Sequence, residues 1–187
     1  MTPALDAENL VQIAVRALDG RSDGDPSPLD DMPVAIYATD REGVITWYNK
    51  ACIDFAGRTP VTHRDRWCVS WKLLSDDGGP MPHDRCPMAV AVRQRCWVRG
   101  LTGVAEGPDG RRVAFRAYPT PLFDDEGEFI GAVNVLEDIT VVRDQLLARA
   151  RRCRRLARGI NDSEAAAALE HMAAECEGAA LELARAG

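Results

Sequence analysis

The chain has 187 residues, of which 46% are hydrophobic and 28% charged, and its formal net charge at pH 7 is −6. This length accommodates one ordinary domain of about 100–150 residues with extensions, and the composition is that of a soluble globular protein. The acidic balance argues against nucleic acid as a general partner, because binding to a polyphosphate needs a basic field.

Neither a signal peptide nor a membrane span is predicted. The first twenty residues contain four charged side chains and no continuous apolar core, and no apolar run approaches the ~18–20 residues that a span needs. We therefore expect a cytoplasmic protein whose six cysteines are reduced thiols.

The first predicted element is an amphipathic helix over residues 4–18, with Gly20 as its stop. Residues 21–28 are rich in Ser, Asp, Gly and Pro, a composition that predicts a linker. The segment 1–29 is accordingly interpreted as an N-terminal helix and linker that precede the main domain.

Residues 30–140 are predicted to form an α+β domain with a five-stranded antiparallel sheet. Two strands joined by a hairpin come first, a helical crossover follows, and three strands joined by hairpins complete the sheet. Within the crossover, Asn49 is predicted to cap a short helix that ends at Gly57, and Asp84 to cap a second helix. The stretch between these helices shows little regular pattern. The strands are predicted at 34–39, 44–48, 98–106, 111–119 and 129–136.

Residues 141–187 are predicted to form two amphipathic helices. The first begins after a cap at Asp138 or Thr140, and its apolar residues alternate spacings of three and four, which is typical of a dimerising heptad seam. Asp162 or Ser163 is predicted to cap the second helix. Neither helix has a core of its own, so they must pack on each other, on the N-terminal helix or on a second subunit. The residues assigned to a dimer seam include Val142, Leu146 and Cys153.

Three separated motifs follow one another in the central segment: the strand pair 37–45, the Asn-led helix from Asn49 and the final strand from Gly131 that runs into Asp138-Ile139-Thr140. In sequence and in order they resemble the PAS family of sensor domains. Three further stretches are similar to one bacterial PAS subgroup, namely 66–68, 82–89 and 118–122.

The resemblance implies a PAS fold with crossover helices and a sensor or docking function. In the family, the Asp138-Ile139-Thr140 junction passes signals from the sheet into a helix, and the pocket holds haem, flavin, a metabolite or nothing. The reactive-cysteine context of flavin photosensors is absent. The cofactor is therefore unknown: the pocket is expected to hold none, with haem or a metal as the alternatives. The pocket is expected to include Tyr37, Trp71, Met88, Val92, Phe115, Tyr118 and Asn134, although core packing is the alternative for the aromatic residues.

Four further residues have the chemistry of haem, metal or redox ligands: His63, Cys68, His83 and Cys86. The interval from Cys68 to His83 is longer than the paired spacing of structural zinc sites. The alternative is that both cysteines are small buried apolar residues and that His83 forms a hydrogen bond at the start of a helix.

No catalytic arrangement is recognisable, since the chain lacks a nucleophile elbow and a phosphate-binding glycine loop, and we expect a protein that is not an enzyme. No output domain follows the C-terminal helices, so a stand-alone PAS protein is expected. We expect it to form a homodimer and to regulate a bacterial signalling protein, such as a sensor kinase or a response regulator. The alternative is a haem, metal or redox sensor that uses His83 with Cys68 and Cys86.

Overall fold

The computed structural model describes residues 7–18 and 25–183. The predicted helix stop at Gly20, the first residues of the N-terminal helix and part of the linker lie outside the described residues. In the N-terminal segment, helix α1 spans Ala7–Leu18, and a 3-10 turn at Ser27–Leu29 leads into the sheet. No helix of 7–18 or 25–183 is both long and apolar enough to cross a membrane.

Within the described residues, a single antiparallel sheet of eight strands forms the body of the protein. The strands are β1 (Ala35–Asp40), β2 (Ile45–Tyr48), β3 (Lys72–Leu74), β4 (Pro80–Met81), β5 (Leu101–Glu106), β6 (Arg112–Ala117), β7 (Thr120–Phe123) and β8 (Phe129–Asp138). Five of them run in the order β2-β1-β8-β6-β5, the short pair β3-β4 extends the sheet beyond β5, and β7 pairs with β8.

The predicted count of five strands is therefore corrected to eight. The two strands that the pattern missed in the crossover, β3 and β4, have three and two residues, too few to show a period of two. The third additional strand arises because the predicted strand 111–119 ends at Ala117 and the chain resumes pairing with β8 at Thr120.

The crossover contains helices α2 (Ala51–Ala56) and α3 (Pro87–Gln94). Helix α2 ends, as predicted, at Gly57, whose φ of 63° closes the helix in the left-handed conformation. The predicted cap at Asp84 is wrong, because this residue lies in a 3-10 turn and Cys86 occupies the cap position before Pro87. Proline stands at the first helical position, where its missing N–H has no intrahelical partner to lose.

Asn49 does not cap α2, and its side chain makes long-range hydrogen bonds instead. Its Oδ1 accepts from the Ile36 N–H at 3.0 Å, and its Nδ2 donates to the carbonyls of Leu29 at 3.0 Å and Val34 at 2.8 Å. The buried amide therefore fastens the segment before β1 to the sheet. A capping amide and a bridging amide use the same groups, so the sequence does not distinguish them.

Strand β8 separates two hydrophobic cores. The inner core lies between the sheet and the crossover helices and includes Tyr37, Met88 and Phe115. The outer core packs Leu10, Val11 and Ala14 of α1 against the opposite face, where Val133 and Val135 are buried. Because both faces are covered, β8 is buried along most of its length and shows little of the alternation expected for an antiparallel strand with one exposed face.

Helices α4 (Thr140–Ala157) and α5 (Ser163–Leu183) pack against each other as a helical hairpin. Of the two predicted caps for α5, Asp162 is observed: its Oδ1 accepts from the Glu164 N–H at 2.9 Å. The hairpin core is formed by Ala150, Cys153, Ala173 and Cys176, with Leu169 packed at its edge.

Replacement of Asn49 by alanine tests the bridging amide. The change leaves the Ile36 N–H and two carbonyls without their partner, so we expect the free energy of unfolding to fall by roughly 2–4 kcal/mol in urea denaturation. Asn161→Ala, at an exposed loop position, is the matched control and should change it by less than about 0.5 kcal/mol. Equal stability of the two variants would contradict the assigned role.

Candidate functional site

A hydrogen-bonded path crosses the inner core and begins at Tyr37 in β1. The Tyr37 side chain is fully buried, and its hydroxyl donates to the Trp67 carbonyl at 3.0 Å and accepts from the Asn134 Nδ2 at 3.1 Å. Burial raises the pKa of the Tyr37 hydroxyl well above its ordinary value. The hydroxyl therefore stays protonated and can serve both partners.

Asn134 carries the path across β8. Its Oδ1 accepts from the backbone N–H of Tyr118 at 3.0 Å, in the short connection between β6 and β7. Tyr37 and Asn134 are also opposite each other in the β1–β8 register. Loss of the Tyr37 hydroxyl would leave the buried Asn134 Nδ2 without its partner, which makes the pair a specific element of the core.

The Tyr118 side chain extends the path to the end of β8. Its hydroxyl donates to Glu137 Oε2 at 3.0 Å, and Arg116 lies 3.6 Å from the same carboxylate. Desolvation is the largest cause of a raised pKa at the Tyr118 hydroxyl, so this group also remains a donor. Glu137 directly precedes the junction between the sheet and α4.

The junction residues fasten the start of α4 to β6. The Ile139 N–H donates to the Ala114 carbonyl at 2.9 Å, and the Thr140 Oγ1 accepts from the Ala114 N–H at 2.9 Å. Asp138 Oδ1 accepts from the Thr140 N–H at 2.8 Å. The negative charge of this carboxylate also interacts favourably with the positive end of the α4 helix dipole. Thus Asp138 satisfies a helix-terminal donor, whereas the Thr140 hydroxyl bonds to the sheet.

Three cysteines in the same core are held as neutral thiols. Cys52 lies 3.2 Å from the Ile36 carbonyl, and Cys68 lies 3.4 Å from the Ser70 hydroxyl. Burial raises the pKa of both thiols and raises the pKa of Cys86 to about 12. Since the thiolate is the nucleophile and the metal ligand, these side chains behave as apolar residues near neutral pH.

The residues considered for a metal or redox centre do not form a ligand set in the described part of the chain. There, no group of three or more His, Cys, Asp or Glu side chains is placed to hold a metal ion. Cys68 and Cys86 share the inner core, His63 is exposed, and His83 lines a surface cleft beside Cys68. Without three converging ligands among the described residues, these four side chains do not fit a metal centre.

The residues expected to line a pocket are divided between different parts of the molecule. Tyr37, Met88, Val92 and Phe115 share the inner core, and Asn134 bonds to it. Trp71 is 54% exposed, and Tyr118 packs in the outer core. The break between β6 and β7 explains the position of Tyr118, because strand alternation is interrupted there.

Trp67 is the functional candidate that sequence reasoning missed. Its carbonyl accepts the Tyr37 hydroxyl, and its backbone φ of 70° is unusual for a bulky residue. The stretch 66–68 contributed to the family resemblance, but a backbone carbonyl leaves no signal in residue type. Only the unusual backbone conformation, visible in three dimensions, distinguishes this tryptophan from the others.

The alkaline pH dependence of stability tests the buried thiols. Below the unfolded pKa of about 8.5, Cys86 is protonated in both states, and between that pH and about 12 only the unfolded chain releases the proton. The free energy of unfolding should therefore fall as pH rises through this window, by about 1.4 kcal/mol per pH unit for this thiol.

Cys86→Ala should make that decline shallower in denaturation measured from pH 8 to pH 11. The matched control is Cys96→Ala, at a half-buried position outside the inner core, which should keep the wild-type slope. A slope unaffected by Cys86→Ala would show that this thiol ionises freely in the folded protein.

Comparison with known proteins identifies the fold. The family model for the PAS fold matches residues 29–144. No characterised protein matches the sequence. Among solved structures, the PAS domain of the fruit-fly ELK potassium channel is similar with a TM-score of 0.50 and 11% identity, over 61% of this chain and 93% of that one.

Two further structures are similar at lower scores. A PAS domain from Colwellia psychrerythraea has a TM-score of 0.44 and 20% identity, over 61% of this chain and 92% of its own. The light-state dimer of the fungal blue-light photoreceptor Vivid has a TM-score of 0.45 and 19% identity, over 73% and 95%. The family match covers more than half of the sequence and agrees with the observed sheet, and the chain therefore belongs to the PAS-fold family.

Proposed function

We propose that this protein is a non-catalytic PAS signalling module that transmits a change in its core to the α4–α5 hairpin. The observation that carries the proposal is the hydrogen-bonded path from the Trp67 carbonyl through Tyr37, Asn134 and Tyr118 to Glu137. That path ends one residue before the junction that positions α4. The hairpin then pairs with a second copy and regulates a bacterial signalling partner, such as a sensor kinase or response regulator.

The junction supplies the point of control because bonds to the Ala114 backbone position the start of α4. The Ala114 backbone N–H and carbonyl bond to Thr140 and Ile139, so a small shift of β8 relative to β6 alters both contacts. Packed elements respond to such shifts by moving between discrete arrangements. A ligand or partner that favours one arrangement of the core would thereby change the population of helix positions.

The hairpin has an unusual division of charge. Six arginines and one aspartate give α4 a net charge of +5, whereas five glutamates and no Lys or Arg give α5 a net charge of −5. Within the hairpin, only Arg154 of α4 pairs across to α5 among the described residues, and it contacts Glu170 and Glu177. Most of the opposite charge therefore remains exposed on the two helices.

Apolar side chains accompany these exposed charges. On α4, Val142 and Leu156 are 49% and 47% exposed, and helical spacing puts Arg149 and Arg152 on their face. On α5, Met172 is 37% exposed and shares a face with Glu175 and Glu182. Each helix thus presents an outer face that combines an apolar centre with charge of one sign.

These faces support a second copy of the chain as the partner. A twofold arrangement places α4 of each copy against α5 of the other, which brings arginines opposite glutamates and covers the exposed apolar residues. The three residues predicted to line a dimer seam have different environments. Cys153 packs inside the hairpin, Leu146 is half-buried, and Val142 is exposed and available to the other copy. The sequence does not distinguish these environments, because an amphipathic helix has the same apolar spacing whether it packs on a helix of its own chain or on a second copy.

A charge-exchange experiment tests the dimer in the full chain. In Arg149→Glu/Arg152→Glu, and separately in Glu175→Arg/Glu182→Arg, the facing helices of two identical copies carry like charge, so the dimer should weaken at low salt. An equimolar mixture should restore it, because both helix pairs of the heterodimer are complementary. The oligomeric state is measured by sedimentation velocity.

Arg85→Glu, on the 3-10 turn before α3, is the control for a general effect of charge and should not alter the oligomeric state. A wild-type chain that sediments as a monomer at all accessible concentrations would exclude this dimer. Failure of the mixture to recover would show that the two faces do not meet.

Hydrogen exchange tests the connection between the core and the junction. Tyr37→Phe removes the hydroxyl that links Trp67 and Asn134, so the amides of residues 137–143 should exchange faster, by a factor of about 5 or more. Tyr48→Phe is the matched control, because the half-buried Tyr48 lies on β2 outside the path. Identical exchange rates in the two variants would show that the buried network does not influence the junction.

A further inference from the structure

Four arginines surround a surface cleft at the outer end of the buried path. The cleft has a volume of about 390 Å³ and contains two glutamates, so its side chains have a net charge of +2 in a chain whose net charge is −6. Val92 and Phe129 contribute apolar surface to it. The charged residues of this arginine cleft are Arg41, Glu42, Arg66, Arg93, Arg95 and Glu128, and Trp67 lies among them.

Trp67 is held rigidly in this arginine cleft. Its N–H donates to the Gly43 carbonyl at 2.8 Å, and its ring lies against the Gly43 backbone so closely that an added Cβ would be 2.1 Å from the ring. The guanidinium carbons of Arg66 and Arg93 lie 4.8 Å and 5.2 Å from the ring centre. The indole therefore orders two of the four cations through cation–π contacts.

Much of the hydrogen-bonding capacity of these arginines remains available. Arg66 Nε donates to the Glu42 carbonyl, and Arg93 donates to the Asp84 backbone carbonyl. The Asp84 carboxylate lies 3.9 Å from the Arg93 guanidinium. Within 7–18 and 25–183, Arg41 and Arg95 form no ion pair, and the observed contact of the Arg95 guanidinium is with the Phe129 ring at 5.5 Å. A guanidinium group has five donors and matches carboxylate or phosphate oxygens in pairs.

We propose that the arginine cleft binds a small oxyanion with two or more negative charges, such as a phosphate ester, a pyrophosphate or a polycarboxylate. Several converging guanidinium groups exceed what one monovalent anion can neutralise, and the cleft volume falls within the roughly 300–1,000 Å³ of small-molecule sites. The chemistry shared by the candidates is the array of charged oxygens. The probes below distinguish a phosphate source from a carboxylate source.

The position of the cleft gives this binding a consequence. The Trp67 carbonyl accepts the Tyr37 hydroxyl, so an anion that reorients Arg66 or Arg93 acts on the residue where the buried path begins. The cleft thus deepens the proposed signalling function by supplying the class of ligand that is sensed. That assignment rests on the proposed function, whereas the binding itself does not.

Isothermal titration calorimetry on the full chain tests the site, with pyrophosphate and citrate as separate probes. The double variant Arg41→Gln/Arg95→Asn should lower the affinity for the better probe by about tenfold or more, because it removes two exposed donors without disturbing the cation–π contacts to Trp67. Asparagine is chosen at Arg95 because the backbone φ there is 51°. Binding should also weaken with added salt.

The double variant Arg16→Gln/Arg85→Gln, which removes two exposed arginines that lie outside both the cleft and the α4–α5 hairpin, should keep the wild-type affinity. The proposal is overturned if neither probe binds at millimolar concentration, or if both double variants lose affinity equally. Unchanged thermal denaturation of the variants establishes that the loss is local.

Hydrogen exchange at residues 137–143 with and without the bound probe then tests the connection to α4 separately. If the probe binds but hydrogen exchange at residues 137–143 does not change, the anion site is confirmed and its role as the sensory input is rejected. Loss of the wild-type response in Tyr37→Phe, with binding retained, would support that role.

Discussion

The burial of β8 on both faces is the constraint on which the rest of the structure depends. Its neighbours β1, β6 and β7 fix the strand laterally, while the crossover helices and α1 cover its two faces. A strand enclosed in this way cannot slip by one residue without exposing its apolar side chains and unpairing Asn134. The proposed signalling function depends on this constraint, because a shift of β8 would reach its end, where α4 begins.

The hydrogen-bonded path introduces buried polar groups into an otherwise apolar inner core, and each of them needs a partner. The Tyr37 hydroxyl bonds to both Asn134 and the Trp67 carbonyl. The neighbouring thiols are neutral because burial raises their pKa values. Such a network gives the core one preferred arrangement, since a partly satisfied alternative leaves buried polar groups without partners. In the proposed function, this preference connects an event at Trp67 with the junction.

The helical hairpin and the arginine cleft differ in how their charged residues are arranged. In the hairpin, opposite charges lie on separate helices of one chain, an arrangement suited to a second identical copy. In the cleft, like charges converge around one indole, an arrangement suited to a small anion. The overall charge of −6 conceals both features because they are local.

The sequence by itself determined the α+β class, the order of the main strands along the chain and the end of α2 at Gly57, because turns and hydrophobic periods are local properties. The PAS fold followed from several motifs that resemble the family in their order. Only the tertiary structure decided that Asn49 bridges distant backbone groups, that Cys153 packs within the hairpin and that Trp67 joins a surface cleft to Tyr37. These outcomes depend on which distant groups meet, and an amide, an apolar seam or a backbone carbonyl has the same local signature whatever its partner.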